Sequence, residues 1–247
     1  GLGNSEIKSN GIINIGDNSI GIYSKNSSLI DLGTNSMINL GKDSIGAYSS
    51  DGGENVINAG NMTIWNNSYG FVFDNGNPIN FSSFPTSNVI LKGDATYIYS
   101  ENTLGTINNS SFITSISDKN YGIYSNGQVK NYGNINFENG IGNVGIYSSK
   151  NGNAENYGNI IIGNSDSVND TYSLGMAAGY KQTGDTGNII NYGVIEVKGN
   201  EGIGMYGTGK DTTVKNAGTI NLTGDKSMGI YLEEGAKGEN TGIIKTS

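Results

Sequence analysis

The chain has no cysteine, no histidine and no arginine; all fourteen of its basic residues are lysine. Without cysteine there is neither a disulfide framework nor a thiolate metal site. Without histidine the commonest general base and metal ligand are missing, and no Ser-His-Asp or Cys-His arrangement can be assembled. Without arginine the bidentate fork that grips phosphates and carboxylates is missing too. Proline occurs twice and tryptophan once, and no apolar run approaches the ~18–20 residues that cross a bilayer. The first residues lack the charged-then-apolar layout of a signal peptide. A formal charge of −8 repels nucleic acid and anionic membranes, so neither is expected as a partner.

What is abundant is glycine, at 40 of 247 residues, together with asparagine. Scattered at random these would suggest disorder, but they fall at repeated offsets and serve as turn punctuation. The phrase NYGNI that opens at Asn131 returns at Asn156, and worn copies run from end to end. The slot closing "GIY" holds Tyr23, Tyr48, Phe73, Tyr99, Tyr124, Tyr147, Ala177, Tyr206 and Tyr231, in steps of 25, 25, 26, 25, 23, 30, 29 and 25 residues. A fixed period of this length marks a solenoid. The chain, residues 1–247, therefore reads as one continuous repeat body.

Each unit divides into three short extended pieces. One is N-x-G-x-I-x-V, as in Asn131–Phe137 and Asn191–Val197; the second is the GIY piece, as in Asn143–Ser148; the third is an apolar residue just before the next Asn, as in Val129. In the first two, apolar and polar residues alternate, which is the pattern of half-buried strands. Identical pieces recur one full unit apart and not at mirrored positions, so each strand should lie parallel to its next copy. The predicted fold is all-β: a right-handed parallel β-helix of about ten coils, each of ~25 residues with three short strands, forming a rod roughly 45–50 Å long. Ile135 is expected over Ile160, and Phe137 beside Ile162.

The same alternation assigns faces. Met228, Ile230 and Leu232 should point inward with Val144 and Ile146, leaving Gly229, Tyr231 and Tyr147 outside. Asn131, Asn156, Asn191, Asn216 and Asn240 should form an inward column whose amides bond from coil to coil. The beat falters twice. Residues 74–119 contain Pro78 and Pro85 and are expected to leave the coil as a loop. Residues 163–186 carry two extra pieces, 163–171 and 178–186, expected at different corners of adjacent coils. Such insertions form surface loops that either bind or drift neutrally.

Few residues offer chemistry. The Asp residues before each GIY piece (Asp17, Asp43, Asp118, Asp225) repeat with the turn and suit turn geometry. No calcium-loop pattern occurs, and no cofactor or metal is expected. Paired-carboxylate glycan cleavage is possible on a β-helix, with Asp166 and Asp170 as the local exception; an enzymatic role is not expected. The outward tyrosines are the stronger lead, since Tyr offers a rigid ring and a hydroxyl at low entropic cost. Two readings stay open: the rings merely stack, or they line a surface with open backbone at the glycine two positions earlier. Ala177 breaks the column beside the insertions. The candidate ligand-binding residues are therefore Asp166, Asp170, Tyr172, Tyr180, Tyr147 and Tyr206.

The alternation of N-Y-G-x-I-x-V (NYGVIEV, 191–197) with G-x-x-S-x-G-I-Y (GDNSIGIY, 16–23; GDKSMGIY, 224–231) resembles the passenger domains of classical, monomeric type V autotransporter adhesins, above all the large fusobacterial ones. The resemblance covers most of the chain and weakens over 74–119. It implies a segment of a longer, monomeric rod, displayed extracellularly at the outer membrane of a Gram-negative cell. It also implies attachment to host cells or other bacteria through a surface protein or glycan, with no membrane insertion by this segment. The alternatives are a carbohydrate-active β-helix enzyme and a purely structural spacer.

Overall fold

The computed structural model describes residues 3–246, which form twenty-nine strands and one 3-10 turn, Ser167–Asn169. The strands make three parallel sheets of ten, ten and nine members, wound into a β-solenoid of about ten turns. In one turn the chain passes through a first-face strand (Gln128–Asn131), a second-face strand (Asn134–Phe137) and a third-face strand (Val144–Ser148). Ile135 pairs in register with Ile160, and Phe137 with Ile162. On this face the inward apolar side chains thus meet apolar partners one turn on.

The N-x-G phrase is a corner and not the start of one strand. Asn131 ends the first-face strand, and the second-face strand begins at Asn134. What the sequence shows as a lone apolar residue, Val129, sits within a full four-residue strand. The corner closes because the N–H groups of Tyr157 and Gly158 both bond to the carbonyl of Asn131 one turn below, at 2.8 and 3.1 Å. Glycine is required there: a Cβ on Gly158 would lie 2.0 Å from the carbonyl oxygen of Gly133.

The asparagine amides do run coil to coil. Asn109 donates to Asn131 at 2.7 Å, Asn131 to Asn156 at 2.8 Å, Asn156 to Asn191 at 2.9 Å, Asn191 to Asn216 at 2.9 Å and Asn216 to Asn240 at 2.8 Å. The second amide hydrogen goes to the glycine carbonyl of its own corner, as from Asn131 to Gly133 at 3.0 Å. Asn109, Asn131, Asn156, Asn191 and Asn216 are fully buried. Burial is tolerated because both donors and an acceptor lone pair are satisfied.

The corner before the third face repeats as well. Asn18, Asp43, Asn67, Asp94, Lys119, Glu201 and Lys226 hold left-handed φ values between 43° and 58°, a region that short Asn and Asp side chains tolerate. Asp17 and Asp118 accept backbone N–H bonds from Lys42 and Ile141 in the next coil, both at 2.8 Å. These recurrent acids are corner pieces.

Residues 74–119 do not leave the coil. Their strands Asn80–Ser83, Asn88–Leu91, Thr96–Ser100, Thr106–Asn109 and Phe112–Ser115 take their places in the three sheets. Pro78 and Pro85 fall between strands, where no ladder N–H is needed. The phrase is blurred because this part of the core is filled differently. Phe71, Phe73, Phe81 and Tyr97 are all fully buried and meet at centroid distances of 5.1 to 6.2 Å. Phe73 therefore does not belong to the outer column: Tyr48 and Tyr99 both pair with Val72, and Phe73 points into the interior.

The third face breaks the alternation assumed for it. Gly145 and Ile146 both turn toward the core. A Cβ on Gly145 would stand 3.0 Å from Ile160 Cγ2 and 2.5 Å from the carbonyl of Gly175. Val144, though buried, stands outside the core cluster and, like Met228 at the same position, consequently lies on the tyrosine side of this face, not inward as expected. The glycine does not open a surface; it lets the chain pack flat on the core.

Candidate functional site

The outer side of the third face thus carries two axial rows. One is the tyrosine row, now with Val72 in the slot assigned to Phe73. The other stands three residues earlier in each strand. The tyrosines stack in runs: Tyr23 on Tyr48 (5.7 Å), Tyr99 on Tyr124 (4.9 Å) and Tyr124 on Tyr147 (5.3 Å), with Tyr206 tilted against Tyr231 at 5.9 Å. Val72 and Ala177 interrupt them. A separate ladder of Tyr132, Tyr157 and Tyr192 stacks at 5.2 and 5.0 Å on another corner. Stacking accounts for most of the tyrosines.

It does not account for the hollow beside the upper rings. A groove of about 900 Å³ runs along the rod axis between the tyrosine row and the opposite corner. Tyr69, Thr96, Tyr121, Val144, Leu174, Ile203 and Met228 form its floor. One wall carries Tyr147, Tyr206, Tyr231 and Glu233; the other carries Asp94, Lys119, Asp170 and Tyr172. A smaller hollow of about 260 Å³ adjoins it, where Tyr180 reaches toward Tyr121 and Tyr147.

One loop walls the groove and another the smaller hollow, and they bracket the single third-face strand Leu174–Ala178 instead of lying on adjacent coils. The loop before it is pinned by an antiparallel bridge between Asp166 and Thr171. The loop after it is pinned by a bridge between Tyr180 and Asp185, and by an ion pair from Lys181 to Glu234 at 2.9 Å. Of the residues singled out in the sequence, Asp170, Tyr172, Tyr147 and Tyr206 line the main groove, and Tyr180 with Tyr147 lines the smaller hollow. Asp166 lines neither. It caps the 3-10 turn by accepting from the Asn169 backbone N–H at 3.2 Å, and a second bond accepted from Asn169 Nδ2 at 2.7 Å holds its carboxyl below the ordinary range.

The hydroxyls of Tyr147 and Tyr206 in this wall stay protonated at physiological pH. Burial pushes the hydroxyls of Tyr147 and Tyr206 above the usual phenol range, and bonding to Glu233 raises Tyr206 further. Tyr147 donates to the carbonyl of Gly179, and Tyr206 to Glu233. Burial raises Tyr121 in the floor as well. Among the described residues no group of three or more acidic side chains gathers as a metal site requires. The arrangement offers an apolar bed with aromatic edges and polar rims, suited to holding an amphipathic chain lengthwise.

Sequence reasoning missed the floor. Its signal was the residue preceding each G-I-Y, which is large and apolar in Ile45, Tyr69, Tyr121, Val144, Leu174, Ile203 and Met228. Strict parity assigned two of those side chains, Val144 and Met228, to the core.

No curated protein and no solved structure matches this chain. The BigA third pectate lyase-like domain does match, over residues 3–242 and so over almost the whole rod, and the chain belongs to that family.

Proposed function

We propose that this chain is a stalk segment of a bacterial surface adhesin, an exported passenger of the type V kind, that holds its partner in the third-face groove. The observation that carries this reading is the break in regularity. A rod that only spaces has no need of a hollow, yet here a groove of about 900 Å³ opens beside the interrupted tyrosine row, with Asp170 and Thr171 of one insertion in its wall and Tyr180 of the other in the adjoining hollow. Membership of a pectate lyase-like family supports it, because an axial groove on a β-solenoid suits an elongated ligand. The partner is a surface glycan or protein of a host cell or another bacterium. Binding without turnover is the expected outcome.

The test is attachment of the purified chain to cells, with Tyr172→Ala and Tyr206→Ala in the groove and Tyr157→Ala on the far corner as control. The groove variants should weaken attachment at least tenfold at unchanged far-UV circular dichroism, and the control should bind normally. Equal binding by all three would sink the groove reading. Glycan hydrolysis that disappears in Asp170→Asn would establish an enzyme instead.

A further inference from the structure

We infer that the groove takes a glycan chain free of carboxylates and rejects acidic galacturonan, the polymer of pectate; the inference rests on the groove being the binding site.

Shape comes first. The floor runs from Tyr69 to Met228 through seven successive turns, a length of roughly 29 Å at the ~4.8 Å strand spacing. Each turn offers one floor residue, a repeat close to the length of a pyranose ring. The backbone beneath offers nothing, because its N–H and C=O groups are spent in parallel ladders on both sides. An extended peptide laid there would press amide groups against Val144, Leu174, Ile203 and Met228 with no bond to make, which is costly. A pyranose chain has the complementary surface. Its C–H faces meet the floor and the tyrosine rings, and its equatorial hydroxyls reach the rims, where Asp94, Asp170, Glu233 and Thr171 accept and Lys119 donates.

Charge decides the class of glycan. The lining carries three carboxylates, Asp94, Asp170 and Glu233, against the single ammonium of Lys119. The chain as a whole is at −8 and contains no arginine to fork onto a uronate. Among the described residues no acidic cluster stands ready to hold a bridging cation between rim and ligand. A polyuronate entering this groove meets repulsion on both walls; a polymer without acidic groups meets hydrogen-bond acceptors.

The experiment uses a matched pair, polygalacturonate and its fully methyl-esterified form, which share a backbone and differ in charge. Alongside them runs a neutral β-1,4-gluco-oligosaccharide. Binding is measured by calorimetry at low and high salt, with and without calcium. At least one neutral probe should bind at least tenfold more tightly than polygalacturonate at low salt. The gap should narrow with added salt, and again in the Asp94→Asn/Asp170→Asn variant. Both positions are exposed, so the variant should fold normally. Equal or tighter binding of polygalacturonate, with calcium or without, would overturn the inference. Failure of every glycan probe, while groove variants still abolish cell attachment, would point to a protein partner; it overturns the inference and spares the groove. Attachment indifferent to the groove variants would overturn the proposed function itself.

Discussion

Removing one rung of the buried asparagine column tests the physical basis of the rod. Asn156→Ala deletes three hydrogen bonds: the one accepted from Asn131 at 2.8 Å, the one donated to Asn191 at 2.9 Å and the one donated to Gly158 at 3.1 Å. The carbonyl of Gly158 keeps a second donor, the N–H of Val194 at 3.0 Å. One N–H of Asn131 and the amide oxygen of Asn191 are left without partners at fully buried residues. At about 1–3 kcal/mol for each orphan, the expected loss is about 2–6 kcal/mol. Asn240→Ala is the control. It also removes an acceptor from the column, but Asn240 is exposed and Asn216 keeps its bond to Gly218. Water replaces the lost partner there, and the cost should stay below about 1 kcal/mol. Urea unfolding followed by circular dichroism gives the difference. Hydrogen exchange should localise it to the coils around residue 156, because each coil of a solenoid leans only on its neighbours. If the two variants were indistinguishable, each within about 1 kcal/mol of the parent, the column would be ornamental and the argument for it wrong.

Three further outcomes follow from the structure. Gly145→Ala forces a methyl group against Ile160 and the Gly175 carbonyl and should cost about 1–3 kcal/mol, whereas Gly16→Ala, with nothing within 4 Å, should stay within about 0.5 kcal/mol in the same urea titration. Glu54 is fully buried, and burial pushes its carboxyl above the ordinary range. The folded state then binds the proton more tightly than the unfolded one, so stability falls as pH rises above the unfolded carboxylate value. Glu54→Gln should accordingly be more stable than the parent at pH 7 and equal to it near pH 4; a less stable variant at pH 7 would refute this. Bonding to Glu155 pushes the Tyr157 hydroxyl up to about 12. Its contribution to stability is full below the unfolded phenol value and is lost as pH climbs toward 12, and Glu155→Gln should lower the phenol titration seen by NMR.

The sequence alone determined the solenoid. A period near 25 residues, glycine and asparagine at fixed offsets and alternating isoleucines suffice, because a corner that admits only glycine and an amide that needs another amide above it leave few alternatives. The pairing of Ile135 with Ile160 and the course of the asparagine column were legible for that reason. Tertiary structure decided what parity arguments could not reach. Whether Phe73 or Val72 faces out depended on how four aromatic side chains packed in the core. Whether Val144 faces in or out depended on Gly145 lying flat against Ile160. The groove exists because those outer side chains from separate turns line up along the axis. Residues so far apart in the chain become neighbours only when the coils stack, and no local pattern records which of them the stack will bring together.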